Sequence, residues 1–148
     1  MFVRTLFAGW GDMDFNSHMK NTAYLDKAAD VRMMFFAEQG FPMSEFRRLK
    51  IGPVVMKDEI EYFREVHLLE EIKVELAFAG LSEDGSRLLI QNVFLRPDGT
   101  LAARVTTAAG WMDLAARRLV VPPPMLLEAM KKSPRTADFH QLPTSIKQ

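Results

Sequence analysis

The chain has 148 residues, 48% of them hydrophobic and 26% charged, which suits one folded domain with its own core and excludes wholesale disorder. Formal net charge is zero, so no overall field draws nucleic acid or an acidic membrane surface. The absence of cysteine excludes disulfides, thiolate–zinc sites and a cysteine nucleophile.

Residues 2–10 alternate as a first strand, with Phe2, Arg4, Leu6, Ala8 and Trp10 on one face. This start lacks the continuous apolar stretch of a signal peptide, and no apolar run approaches the roughly 20 residues needed to span a bilayer. A cytoplasmic protein is expected. Gly11 to Lys20 reads as a polar loop, with Asp12, Asp14, Asn16 and Ser17 as turn formers. A long helix is predicted over 21–38. Tyr24, Ala28, Val31 and Phe35 form its apolar stripe, widened by Leu25 and Phe36. Gly40 stops it, and a second short helix runs from Pro42 through Leu49.

From Ile51 the period changes to that of strands. Residues 53–64, 70–80, 87–96 and 100–112 are the four candidates, with tight turns at Ser82–Gly85 and Arg96–Gly99. Pro122 to Pro124 end the sheet region, and Met125 to Lys132 suit a short amphipathic helix. Residues 133–148 are polar with little periodicity, which predicts a tail that is mobile or docks on a partner. No second domain is visible. The expected organisation is one domain over 1–122, with a short helix and tail over 123–148. A helix with a broad apolar face needs a sheet to cover it. An antiparallel sheet curled around one central helix meets that need, as do other α+β arrangements.

The segment Gly11-Asp-Met-Asp14-Phe-Asn-Ser-His18-Met-Lys-Asn21-Thr-Ala-Tyr24, followed by Ala28 to Arg32, resembles the 4-hydroxybenzoyl-CoA thioesterase family of hot-dog proteins. Glu61 to Arg64 is similar to that family's paired-strand segment, and Pro97 to Ala102 to its last hairpin. The resemblance spans roughly residues 3–122. It implies an α+β hot-dog fold, in which a long central helix is wrapped by a curved five-stranded antiparallel sheet. It also implies an acyl-CoA thioesterase active between subunits, hence a homodimer or homotetramer. No tightly held cofactor and no metal are implied, because CoA arrives with the substrate.

Thioester hydrolysis needs a group that attacks or activates water, and donors for the developing oxyanion. The thiol leaves readily as a thiolate, so a strong general acid is dispensable. Asp14 is the candidate for the first part, as nucleophile or as general base; the residues do not choose between the two. Its other reading is that of an ordinary turn former. The start of the long helix supplies unpaired N–H groups for the second part, and the resemblance assigns the Asn21 backbone N–H to the thioester oxygen. His18 either contacts the substrate or Asp14, or fixes the loop through a main-chain bond. Asp12 reads as a loop-turning residue. Lys57, Arg64, Arg87 and Arg104 are the cations available to CoA phosphates. An acyl carrier protein is an alternative carrier of the acyl group. The competing functions are a non-catalytic acyl-CoA-binding hot-dog protein and a hot-dog enoyl-CoA hydratase or dehydratase. Against the latter, the Asp14–His18 spacing differs from the hydratase pattern.

Overall fold

The computed structural model describes residues 1–147. In chain order the elements are β1 (Phe2–Phe7), α1 (Asn21–Glu38), α2 (Met43–Leu49), β2 (Ile51–Tyr62), β3 (Glu71–Ser82), β4 (Arg87–Leu95), β5 (Leu101–Asp113), β6 (Arg118–Val120), α3 (Pro124–Lys131) and β7 (Arg135–Leu142). The strands form one sheet of order β1-β3-β4-β5-β2, antiparallel throughout that path, with β6 beside β5 and β7 beside β3. This is the expected α+β hot-dog architecture, with α1 lying against β1, β3 and β5.

The helix stripe behaves as its spacing demands. Ala23, Tyr24, Ala28, Val31, Phe35 and Phe36 are buried, facing the inward rows of the sheet that carry Ile72, Val74, Leu76, Ile90 and Phe94. Phe36 meets Trp111 edge-on at 5.3 Å, and Phe46 stacks on the same indole at 5.8 Å, which seats α2 on β5. Arg32, also on α1, donates to the Thr107 hydroxyl at 3.1 Å, and Thr107 in turn donates to Asp58 at 2.6 Å. This relay, buried at Thr107 and open to solvent at Asp58, ties α1 to β5 and β2. Burial lowers the pKa of the Arg32 guanidinium, and nearby Asp58 opposes that shift.

Three expectations need correction. The first strand stops at Phe7 rather than running to residue 10. The Asp12 carboxylate accepts the Gly9 N–H at 2.8 Å and so winds Trp10–Asp12 into a 3-10 turn, which takes Trp10 out of the strand and leaves it 82% exposed. The sheet has seven strands rather than five, because β6 folds back on β5 and β7 runs parallel to β3. The polar tail is therefore largely a strand. β1 pairs with β3 as far as Leu76, and β7 takes up the same edge from Phe78 to Ser82.

Gly85 shows how closely the C-terminal segment is fitted. It has φ +75°, and an added Cβ would lie 2.6 Å from a Leu127 methyl and 2.9 Å from Pro122. Leu126 and Met130 of α3 are buried in the common core.

Candidate active site

The loop from Gly9 to Lys20 is held from both ends. Met13 and Met19 form an antiparallel bridge, the Met19 N–H donates to the Val66 carbonyl at 2.8 Å, and the Lys20 N–H donates to the Asp12 carbonyl at 2.8 Å. Lys27, on the second turn of α1, reaches the Asp12 carboxylate at 2.9 Å. Burial pushes the Asp12 pKa up, but the Lys27 ammonium and the Gly9 N–H outweigh it, and the net shift is downward. Asp12 thus fastens the loop to the helix, the loop-turning role read from the sequence.

Asp14 sits inside this frame. One of its oxygens accepts the Asn16 N–H at 2.8 Å and the His18 N–H at 3.1 Å, while the other has no partner among the described residues. Both sequence readings of this residue therefore coexist in the geometry: it closes a turn and still presents a free carboxylate oxygen. The side chain is solvent-exposed in the single chain, rather than buried beside apolar groups.

Asn21 opens α1 without any side-chain cap, and no acidic residue occupies the first turn. Neither the Asn21 nor the Thr22 N–H has an acceptor among the described residues. Such amides carry the positive end of an 18-residue helix. His18 lies between the two parts. Its Nε2 is 3.0 Å from a Glu65 carboxylate oxygen, and its ring meets that of His67 edge-on at 5.4 Å. Its side chain therefore faces a carboxylate, not the main-chain carbonyl considered from the sequence.

These residues line one cavity of about 330 Å³, bounded by Asp14, His18, Asn21, Tyr24, Tyr62 and Arg64, with Met19, Phe63 and Glu65 beside them. A larger cavity of about 500 Å³ lies between Arg118–Val121 and residues 145–147, and it contains neither a carboxylate nor a helix start. Size alone does not identify the site.

The far wall, from Tyr62 to Glu65, was not assigned from the sequence apart from Arg64. Its position depends on β2 ending beside the start of α1, where the Phe63 and Arg64 N–H groups both donate to the Ala102 carbonyl. Tyr62 donates to the Asn21 carbonyl at 3.3 Å, and its ring meets that of Tyr24 edge-on at 5.4 Å. Burial, then Tyr62, Asp14 and Glu65, push the Tyr24 phenol up to about 12, so it stays neutral and able to donate at neutral pH.

Of the four proposed phosphate-binding cations, three are already engaged. Lys57 pairs with Glu59 at 2.7 Å, Arg104 with Glu61 at 3.1 Å, and Arg87 donates to Ser145 at 3.1 Å. Arg64 alone lines the cleft, and its side chain has no partner among the described residues.

A long helix on an antiparallel sheet, with a loop folded over the helix start, is the hot-dog architecture, and the family match makes it that of a thioester hydrolase. The sequence profile of the thioesterase-like superfamily matches residues 8–130, and the chain belongs to that superfamily. The match extends into α3.

Solved structures agree on the fold. The SAV2348 protein of Staphylococcus aureus, determined in complex with CoA, is 22% identical with a TM-score of 0.80, covering 92% of this chain and 87% of its own. A 1,4-dihydroxy-2-naphthoyl-CoA thioesterase from Synechocystis is 14% identical with a TM-score of 0.79, covering 88% and 96%. A DHNA-CoA thioesterase from Staphylococcus aureus is 16% identical with a TM-score of 0.81, covering 88% of each chain. No curated protein sequence matches the chain significantly.

Proposed function

We propose that the protein hydrolyses an acyl-CoA thioester at the cleft between Asp14 and the start of α1. The carrying observation is the Asp14 carboxylate, fixed through one oxygen by two amides and open at the other, beside a helix start whose first N–H groups are free. Two routes share this geometry. In one, the free oxygen attacks the carbonyl carbon, the C–S bond breaks, CoA leaves as thiolate, and water hydrolyses the acyl–Asp14 anhydride. In the other, Asp14 takes a proton from water as that water attacks, and the same C–S bond breaks. In both, the Asn21 N–H holds the oxyanion, a contribution of about 3–4 kcal/mol. His18, paired with Glu65, orients the loop side of the cleft.

Arg64 is the cation best placed for a CoA phosphate, since its side chain is unpaired and lines the cleft. The half-exposed rings of Tyr62 and Phe63 at the cleft support its completion by a second subunit, in a homodimer or homotetramer. The thioesterase domain is residues 1–122, with 123–148 a C-terminal short helix and tail rather than a separate domain. An acyl carrier protein remains an alternative carrier. No described helix is long and apolar enough to cross a membrane, which is compatible with the expected cytoplasmic location.

The test is thiol release from a panel of acyl-CoA thioesters, run beside Asp14→Asn. Turnover by the parent and its loss in the variant support the assignment. Equal rates in the two proteins remove Asp14 from the reaction. Tight binding without thiol release would make this a non-catalytic binder, and loss of enoyl absorbance without thiol release would make it a hydratase.

A further inference from the structure

A second cavity, of about 490 Å³, lies on the other side of the Asp14 loop and is lined by Trp10, Met13, Asp14, Phe15, Ser17 and Leu68. Asp14 is the one residue common to it and the cleft described above. We propose that this groove binds the apolar acyl chain of the substrate, while the CoA arm lies along the Arg64 side of the cleft. The inference rests on the acyl-CoA reading.

A thioester carbonyl carries two arms, one to sulfur and one to the acyl chain. A carboxylate in reach of the carbonyl must sit where the arms diverge. Asp14 occupies such a place, on the wall between two cavities, of which the second is the more apolar. The cleft is bounded by a guanidinium, a His–Glu pair, two phenols and the start of α1, with Met19 and Phe63 as its apolar members. The groove is bounded by an indole, a phenyl ring, a thioether and an isobutyl group, with the Ser17 hydroxyl as its only polar side chain besides Asp14.

Trp10 is 82% exposed, Phe15 is fully exposed and Leu68 is 41% exposed, so the groove walls are apolar surface that none of the described residues covers. Met13 packs against the core and forms the floor. The local structure fixes the backbone that carries these side chains. The 3-10 turn fixes Trp10, and the Asp14 turn fixes Phe15 immediately after the carboxylate. The volume falls in the usual ligand-pocket range of roughly 300–1,000 Å³.

The experiment measures binding, so it stands apart from hydrolysis. Calorimetric Kd values are taken for the non-hydrolysable S-butyl-, S-hexyl- and S-octyl-CoA thioethers with the full chain, Phe15→Ser and Trp10→Ser. Both replaced side chains are exposed, so folding is not at stake. In the parent, Kd is expected to fall by up to about fourfold per methylene, since each buried CH₂ contributes about 0.8 kcal/mol. In each variant the octyl-to-butyl preference is expected to drop about tenfold. Chain-length dependence that is equally steep in all three proteins overturns the assignment. So does an unchanged preference accompanied by a lower mass in light scattering, which would make the groove a contact between copies of this chain. Chain-length-dependent binding without any thiol release from acyl-CoA would leave the groove standing and remove the hydrolase reading.

Discussion

Asp14 and Asp84 both close short turns by accepting a main-chain N–H two residues ahead, yet their carboxylates end in opposite states. Asp84, between β3 and β4, is saturated. One oxygen accepts from the Ser82 hydroxyl at 2.8 Å, the Ser86 hydroxyl at 2.7 Å and the Ser86 N–H at 3.0 Å, and the other accepts from the Thr144 hydroxyl. Burial raises its pKa, but these donors outweigh burial and hold it near 2. Asp14 spends one oxygen on its turn and keeps the other free. A carboxylate surrounded by fixed donors is a structural staple. A carboxylate that is oriented but unsatisfied is suited to act on a ligand. The difference lies in the partners that the rest of the fold brings to each turn.

The largest expected effect is at Asp14. Asp14→Asn keeps an oxygen for the Asn16 and His18 amides, so the turn persists and the melting temperature should hardly move. Thioester turnover should fall about 10²–10⁴-fold, the usual contribution of a positioned acid–base group. A comparable loss of stability would place Asp14 in the same class as Asp84.

The second effect isolates the donor across the cleft. Asn21 is the first residue of α1, and Lys20 before it has φ −69° and ψ 154°, the extended backbone that proline demands of its predecessor. Asn21→Pro therefore removes the N–H along with the carboxamide, at a helical position that tolerates proline well. A loss in kcat of about 10²–10³-fold is expected, with helix content unchanged in circular dichroism. Asn21→Ala keeps the N–H and should cost far less. Equal losses in the two variants would shift the role from the main chain to the Asn21 side chain.

The asymmetry between the two turns also explains what the sequence disclosed. The Asp14 loop and α1 are local: turn formers, then an apolar stripe at helical spacing, with Gly40 beyond, define them within one stretch of chain. The Asp84 turn was equally legible as a hairpin, but its saturation depends on Thr144, some sixty residues later. β7 was hidden for a related reason. Its half-buried residues, Thr136, Phe139 and Leu142, recur every third position and match neither a strand nor a helix pattern. It is a strand because the open edge of β3 beyond Leu76 supplies its partners. Trp10 was misplaced because strand alternation does not register the pull of Asp12 on the Gly9 amide. The Tyr62–Glu65 wall stayed unassigned because no local pattern says which strand returns to the helix start.

The third prediction turns to stability. Asp84→Ala removes the acceptor from the buried Ser82 and Ser86 hydroxyls and unpins Thr144. Left without acceptors, such groups cost about 2 kcal/mol, which lowers the melting temperature by roughly 4–8 °C in a domain of this size. Thioester turnover per folded molecule should stay within about twofold, because none of these residues borders the Asp14 cleft. A collapse of activity would couple the C-terminal segment to the site and end the separation drawn between the two turns.

The smallest effect is the pH dependence of the Asp84 staple. Its carboxyl is depressed from 3.8 to about 2 on folding. Its contribution is therefore present above pH 4 and is lost as the pH falls through 2. At full weight that difference corresponds to about 2.5 kcal/mol, and solvent screening at this partly exposed position reduces it to about 1 kcal/mol. Asp12, Asp98, Asp113 and Asp138 are also depressed, so the acid limb of the parent is a sum over several groups. Subtracting the unfolding free energy of Asp84→Ala at each pH removes the terms the two proteins share. The remaining gap should be widest at neutral pH and should narrow by about 1 kcal/mol between pH 4 and 2. A gap constant across that interval would mean that Asp84 stabilises the turn through contacts indifferent to its charge, and the contrast with Asp14 would then rest on geometry alone.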